Sequence, residues 1–157
     1  GGMSSRLWHK LREELGACYY VHVFMRNFND HGSFCVATGI DKNRAQEVTS
    51  VVLSELHKLT KELVSPKELK KVKDYLVGNL YLQLETTDAL AMFYTVQEAL
   101  KGKTENPKDI EKEIRAVTPE QIMKVAKEIF QNKNLNLAVV GDIRNEKNLK
   151  KVLLLGK

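Results

Sequence analysis

Cysteine, proline and long apolar runs are all scarce in this 157-residue sequence, which holds two cysteines and three prolines. A membrane-spanning helix needs roughly 20 consecutive apolar residues, and no stretch approaches that length. We therefore expect no membrane partner. Apolar residues make up 43% of the chain and charged residues 29%. That composition is typical of a folded globular domain and excludes a disordered tail.

The two cysteines show no spacing that indicates a metal site. Cys18 and Cys35 form neither a CxxC pair nor a Cys/His ligand pattern. We expect them on opposite arms of a β-hairpin, in a register that places Cys35 opposite Arg26. Cys18 would then lie about eight residues away along the strand, roughly 25 Å, which is too far for a disulfide bond. Two free thiols are typical of a reducing compartment, so we expect a cytoplasmic location.

The sequence also lacks the local motifs of a catalytic metal. Its four histidines are scattered, and neither HxxEH nor HExxH occurs. A distant ligand pair such as His22 with His57 is an alternative, although ordinary surface histidines explain the pattern more simply. We therefore expect no metal and no other cofactor in this chain.

The net charge of +5 raises the question of nucleic acid. The lysines stand among acidic residues at helical spacing, a pattern typical of solvated helix faces. No zinc finger, KH loop or RRM aromatic signature accompanies them. We expect no nucleic-acid partner, and an unrelated basic nucleic-acid-binding domain is the weakest of the alternatives.

The first forty residues predict a helix followed by a β-hairpin. Ser4 or Ser5 can cap a helix that runs to about Leu15 and ends at Gly16. Aromatic and β-branched runs then predict two strands and a turn: Cys18–Phe28, Ser33–Ile40 and Asn29-Asp30-His31-Gly32.

Capping residues predict a series of helices over most of the remaining chain. Their starts follow Asp41-Lys42-Asn43-Arg44, Ser65-Pro66, Asn106-Pro107 and Thr118-Pro119. The helix that begins at Ser65-Pro66 is expected to pause near Thr86-Thr87-Asp88 and to continue from Ala89 to Leu100. The first of these helices carries a predicted buried stripe of Ala45, Val48, Val52, Leu56, Leu59 and Leu63. A third strand is predicted over Asn136–Val140, and a short tail helix from Glu146.

This order of elements predicts an α+β fold in one domain covering residues 1–157. Helices would lie in a layer on one face of an antiparallel sheet. Three strands are few for so many apolar helices, and the chain opens on a helix. We therefore expect that one or more leading strands, together with the natural start, lie outside this sequence.

One pair of side chains suggests chemistry. Arg12 lies in the last turn of the first helix, and Tyr19 opens the strand beyond the Gly16 turn. A guanidinium and a phenol at such a corner can bind a peptide carbonyl or stabilise an oxyanion. The simpler interpretation is a surface arginine beside a tyrosine at the edge of the core, and spacing alone leaves both open.

Three segments resemble the C-terminal domain of the insulinase/pitrilysin/mitochondrial-processing-peptidase family of zinc peptidases, the inverzincins. The opening GGMSSRLWHKLREELGACYYV is similar to that domain's glycine turn, helix and tyrosine-headed strand. SPKELKKVKDYLVGNLYLQLETTDALA resembles a later helical segment of the family. TPEQIMKVAKEIFQNKNLNLAVVGD is similar to its closing helix and strand. Together they cover nearly the whole chain in the family's order.

The resemblance implies a half-domain of a larger two-domain peptidase. In the family, the N-terminal domain holds the HxxEH zinc site, and the C-terminal domain has lost the metal ligands and closes over the peptide. The arginine and tyrosine that it contributes correspond here to Arg12 and Tyr19. Tyr20 is adjacent to Tyr19, so which tyrosine faces the cleft stays open.

The expected function is that of a cleft-closing, substrate-binding domain of a zinc metalloendopeptidase that is inactive alone. Its expected partners are an N-terminal zinc-bearing domain, on the same or a paired chain, and a peptide substrate. Self-association is also expected, because an edge of the sheet stays open without the leading strands and can pair with another chain. The alternative is a non-catalytic assembly subunit or binding module of the same family.

Overall fold

The structure is a computed structural model that describes residues 5–28, 30–142 and 146–156. It has an α+β fold with a two-stranded antiparallel sheet among the described residues, which confirms the predicted fold class. Predictions that fall on Ser4 and Asn29 lie outside the described residues. Among those described, no helix is long and apolar enough to cross a membrane.

The first helix, α1, begins as predicted but changes its winding. The Ser5 side chain accepts a hydrogen bond from the Trp8 backbone N–H, and the α-helical turn Arg6–Trp8 continues into a π-helix, His9–Glu14. The wider winding is closed by a hydrogen bond from the Leu15 N–H to the Lys10 carbonyl. Spacing of leucines predicts a helix here but does not distinguish these two windings.

Strands β1, Cys18–Asn27, and β2, Gly32–Ile40, form the predicted hairpin in a different register. Cys35 lies opposite Phe24 and not opposite Arg26, so the predicted register is wrong by two residues. The Phe28 N–H donates to the His31 carbonyl at 2.9 Å, and the chain turns one residue earlier than the predicted register requires. Cys18 and Cys35 are both free thiols in this register.

The helices that follow start where capping residues predict. Their bounds are Ala45–Lys61 for α2 (after a 3₁₀ turn, Lys42–Arg44), Pro66–Gln83 for α3, Thr87–Lys101 for α4, Pro107–Ala116 for α5, Pro119–Ile129 for α6 and Glu146–Val152 for α7. Side chains of Ser65, Thr86 and Asn106 each accept a backbone N–H at their helix start. Thr118 and Gln121 form a reciprocal capping box, at 3.3 and 2.8 Å.

The chain divides into two compact units. The hairpin unit comprises Gly1–Glu62 and Met123–Lys157, and the helical unit comprises Leu63–Ile122. The core of the hairpin unit lies where α1 and α2 cover one face of the hairpin. Its buried members are Leu7, Leu11, Ala17, Cys18, Val21 and Val48.

In the helical unit, a polar cluster joins α3 to α5. Arg115 donates to Glu111 at 2.7 Å and to Asp74 at 3.3 Å, and Lys70 donates to Asp74 at 2.7 Å. The hydrogen bonds from Lys70 and Arg115 lower the pKa of Asp74 below its ordinary value. The Tyr81 hydroxyl donates to Glu111 at 2.8 Å, which raises the pKa of Tyr81.

Two predictions about apolar segments are wrong. Residues 135–140 form no strand, although their backbone is described throughout, because a strand needs a hydrogen-bonding neighbour and the segment has none among the described residues. Leu63 lies beyond the end of α2 and is 51% exposed, whereas Ala45, Val48 and Leu56 of the predicted stripe are buried. The prediction that Leu63 is buried rested on its apolar side chain and its spacing alone.

Candidate functional site

The site predicted at Arg12 and Tyr19 lies at the corner between α1 and β1. Gly16 has the left-handed φ of +55°, which an L side chain adopts only at a cost. The Ala17 N–H donates to the Leu11 carbonyl at 2.8 Å and wraps the chain back over the helix end. The corner therefore turns the chain sharply and brings the start of β1 against the last turn of α1.

A second arginine, from the 3₁₀ turn before α2, also binds the backbone at this corner. Arg44 donates from Nη1 to the Leu15 carbonyl at 2.9 Å. Its Nε and Nη2 donate to the two Glu47 oxygens at 2.7 and 3.0 Å. This paired hydrogen bond raises the pKa of Arg44 and lowers that of Glu47. Sequence reasoning missed this role, since no motif distinguishes Arg44 from an ordinary charged residue before a helix.

Arg12 is fixed directly to the first strand. Its Nη1 donates to the Cys18 carbonyl at 2.7 Å, so the guanidinium lies beside the peptide bond that joins Cys18 to Tyr19. A guanidinium has five N–H donors in a rigid plane, and this bond uses one of them. The residue itself is exposed. The arrangement gives an anchored, solvent-accessible cation next to the tyrosine backbone.

Tyr19 occupies a β-bulge at the head of β1. Cys18 pairs with Ile40 and Tyr20 pairs with Gly39, so Tyr19 is the extra residue between two consecutive positions of β2. Bulges re-aim side chains and are common beside active sites. The Tyr19 side chain is 74% exposed and belongs to the residue that follows the carbonyl bound by Arg12.

The bulge also affects the orientation of the neighbouring tyrosine. In a regular strand, adjacent side chains point to opposite faces, yet here Cys18 and Val21 are buried while Tyr19 and Tyr20 are both exposed. The Tyr20 ring stacks on His22, with centroids 5.5 Å apart. It also lies where a side chain at position 39 would be, because a Cβ on Gly39 would come within 2.4 Å of it.

The described residues do not provide a metal site. They contain no group of three or more His, Cys, Asp or Glu side chains that could hold a metal ion. His22 is stacked on Tyr20, whereas His57 packs against Gly156 near the C-terminus. A zinc ion therefore does not fit the donor groups described in this chain.

The other candidate features are a small cleft and a set of exposed ion pairs. A cleft of about 100 Å³ between α2 and the C-terminal residues is lined by Ser54, His57 and Leu154 among others, and it includes neither Arg12 nor Tyr19. Many lysines form ion pairs on exposed helix surfaces: Lys10–Glu14, Lys70–Asp74, Lys112–Asp109 and Lys150–Glu146. These pairs are typical of solvated helices.

Comparison with known sequences finds similarity to one domain of zinc proteases. Residues 1–76 match the family model described as the peptidase M16 inactive domain. An uncharacterised zinc protease of Bacillus subtilis (strain 168) is 30% identical over 130 residues, 83% of this chain and 32% of that protein. A second, from Streptomyces coelicolor, is 29% identical over 146 residues, 93% of this chain and 32% of the relative. The chain thus spans about a third of the length of these relatives.

Solved structures share the fold. A chain of complex III2 from Candida albicans, bound to Inz-5, superposes with a TM-score of 0.71 at 19% identity, over 80% of this chain and 30% of that one. A conserved protein from Enterococcus faecalis V583 gives 0.71 at 24% identity, over 81% and 29%. A protease from Helicobacter pylori gives 0.67 at 18% identity, over 83% and 32%.

Proposed function

Since the chain belongs to the insulinase-like M16 peptidase family, as its C-terminal inactive domain, we propose that it binds the peptide substrate of a zinc metalloendopeptidase. It closes over the cleft and does not cleave peptides alone. The zinc lies in an N-terminal domain, on the same or a paired chain. Naming of the relatives as zinc proteases supports the reaction class.

The observation that carries this proposal is the hydrogen bond from Arg12 to the Cys18 carbonyl at 2.7 Å, beside the exposed Tyr19. The bond restricts a side chain that would otherwise be mobile, so fewer rotamers are lost when a ligand binds. The planar guanidinium and the phenol hydroxyl would both donate hydrogen bonds to the peptide carbonyl region. A carbonyl oxygen that gains negative charge in the transition state would be stabilised by the same donors.

Closure of the domain over the substrate gives these donors their full effect. Tyr19 is exposed here, where water competes for its hydroxyl. When the cleft closes, water is excluded and each hydrogen bond acts in a less polar surrounding. Arg12 and Tyr19 would therefore contribute mainly to the bound, closed state.

The same family also allows a non-catalytic role. The alternative is an assembly subunit or binding module, in which Arg12 and Tyr19 would be ordinary surface residues. The residues encoded in the rest of the full-length protein distinguish the two, because an HxxEH motif there indicates a peptidase. Self-association and a cytoplasmic location, the latter supported by two free thiols, belong to the same proposal.

The test uses the complete enzyme with Tyr19→Phe and Arg12→Lys. Loss of one oxyanion-type donor lowers kcat by roughly 10²–10³-fold in a dry site, and we expect the lower end of that range for a two-domain cleft. Tyr19→Phe should reduce kcat more than it raises KM. Arg12→Lys should also be damaging, because an ammonium lacks the planar fork. Zinc content and Tm should change little.

Matched controls come from the chain itself. Tyr75→Phe alters a tyrosine that is 52% exposed in the helical unit, and Arg26→Lys alters an exposed arginine of β1. Both should leave turnover unchanged. Tyr20→Phe decides which tyrosine faces the cleft. Turnover like that of the unaltered enzyme in both Tyr19→Phe and Arg12→Lys would remove the proposed roles, and hydrolysis by the 157-residue chain alone would contradict the division between domains.

A further inference from the structure

Arg44 binds the α1–β1 corner although it belongs to neither of the two elements that form it. Its Nη1 donates to the Leu15 carbonyl at 2.9 Å, across 29 positions of sequence. Leu15 follows the π-helical turn of α1, and carbonyls at a helix end have no partner within the helix. The bond therefore supplies this carbonyl with a partner from a different part of the fold.

The turn that carries Arg44 is held on both sides. Before it, the Asp41 side chain accepts a hydrogen bond from the Asn43 N–H at 2.8 Å and caps the 3₁₀ turn. After it, Val48 of α2 is 1% exposed and belongs to the same buried cluster as Leu11 of α1. Arg44 thus extends to the corner from a well-packed part of the hairpin unit.

Glu47 orients the Arg44 guanidinium. Nε and Nη2 donate to its two carboxylate oxygens at 2.7 and 3.0 Å, and two parallel bonds restrict rotation of the planar group. The third donor, Nη1, then faces the Leu15 carbonyl. The Arg44 side chain is 33% exposed, and ion pairs at such a surface add little to stability. The arrangement is therefore better explained by geometry than by its contribution to folding.

Two guanidiniums bind the corner, one at each end. Arg44 binds the Leu15 carbonyl before Gly16, and Arg12 binds the Cys18 carbonyl after it. Arg12 lies in the last turn of α1, three residues before Leu15. A shift of the Leu15 carbonyl would therefore also move the backbone of Arg12 relative to the start of β1.

We propose that Arg44 is a positioning residue of the peptide site, because its bond to Leu15 fixes the last turn of α1 and with it the Arg12 guanidinium. Glu47 acts one step further away, by orienting Arg44. Neither residue touches the peptide. This inference rests on the proposed function of Arg12 and Tyr19. Misplacement of a reacting group by about 1 Å can lower a rate roughly 100-fold, so a contact outside the site can control turnover.

The kinetic test uses the complete enzyme with Arg44→Gln. We expect kcat to fall about tenfold while KM changes by less than about twofold, because the change affects donors that act in the transition state. Glu47→Gln should give a smaller loss in the same direction. Arg115→Gln is the matched control, since Arg115 also donates to two carboxylates, Glu111 and Asp74, but lies in the helical unit. It should leave kcat unchanged, and an equal loss in Arg115→Gln would overturn the proposal.

A double variant tests whether Arg44 acts through Arg12. In an enzyme that already carries Arg12→Lys, Arg44→Gln should lower kcat by less than about a further twofold, because the group that it positions is already altered. A further loss as large as that in the unaltered enzyme would mean that Arg44 acts independently of Arg12, and would contradict the proposed role.

Amide exchange measured by NMR in the 157-residue chain separates this proposal from the proposed function. The Ala17 N–H donates to the Leu11 carbonyl at 2.8 Å within the corner, and its exchange should be at least about tenfold faster in Arg44→Gln. Unchanged exchange of Ala17 would overturn the proposal whatever the kinetics. Faster exchange with an unchanged kcat would also overturn it if Arg12→Lys is impaired. If Arg12→Lys is unimpaired as well, the proposed function itself has failed.

Discussion

Arg12 and Tyr19 are seven positions apart, and the backbone features that bring the Arg12 guanidinium to the start of β1 are not revealed by that spacing. Spacing alone leaves a functional and a structural interpretation of the pair open, and the family resemblance favours the functional one. The hydrogen bond from Arg12 to the Cys18 carbonyl follows from the left-handed Gly16 and the π-helical end of α1. Residue types do not unambiguously indicate the π-helical winding or the β-bulge. The geometry of the corner therefore could not be predicted from the sequence and is known only from the structure.

Leu11, the residue before Arg12, fixes α1 to the core and is fully buried. Leu11→Ala should cost about 2–5 kcal/mol of unfolding free energy, because it removes buried apolar atoms and leaves a cavity. Denaturant unfolding measures this directly. Leu100→Ala is the matched control: Leu100 is 62% exposed, and its replacement should change stability by less than about 0.5 kcal/mol. Equal losses in the two variants would show that α1 does not pack as described.

At the scale of elements, capping chemistry was the most reliable guide. Ser65, Asn106 and Thr118 all cap helices where the sequence predicts, because a cap depends on a few adjacent residues. Thr86 caps a separate helix, Thr87–Lys101, where the sequence predicts only a pause. The hairpin register was wrong by two residues, since it depends on the hydrogen bonds of the turn. The bulge at Tyr19 also depends on pairing with β2, and it leaves Cys18 and Val21 both buried.

Two helix ends in the chain use glycine in the same left-handed conformation. Gly16 follows α1 with φ +55°, and Gly102 follows α4 with φ +63°; neither has a neighbour that an added Cβ would strike. Alanine at either position should therefore lower the unfolding free energy by a similar amount, about 1–2 kcal/mol. In the complete enzyme only Gly16→Ala should also reduce kcat/KM, because Gly16 sets the corner that joins Arg12 to β1.

The comparison of these two variants separates stability from geometry. Activity is measured well below the Tm of both proteins, so that each is fully folded in the assay. A loss of kcat/KM in Gly102→Ala as large as that in Gly16→Ala would attribute the effect to general destabilisation. Unchanged kcat/KM in Gly16→Ala would mean that the corner tolerates a different turn.

At the scale of the whole molecule, the fold class could be predicted from the sequence but the state of the last predicted strand could not. The α+β class followed from the order of elements, which local patterns determine. The segment 135–140 has strand composition yet forms no strand, because pairing depends on a neighbour outside the segment. The division into two compact units was not anticipated, and the prediction of a single domain stays a prediction.

The exposed apolar surface of α4 leads to the last prediction, concentration-dependent self-association of the chain. Met92, Val96 and Leu100 stand at i, i+4 and i+8 and are 62%, 45% and 62% exposed, so they form one apolar stripe. Burial of such a stripe against a second copy is favourable. Sedimentation velocity from low micromolar to near-millimolar concentration should show a weight-average sedimentation coefficient that rises with concentration.

Two lysine variants test whether the stripe is responsible. Val96→Lys, at the centre of the stripe, should suppress the rise. Ala91→Lys adds the same charge at an exposed position on another face of the helix and should not suppress it. A monomer at every concentration would contradict the prediction, and equal suppression by both variants would attribute association to net charge.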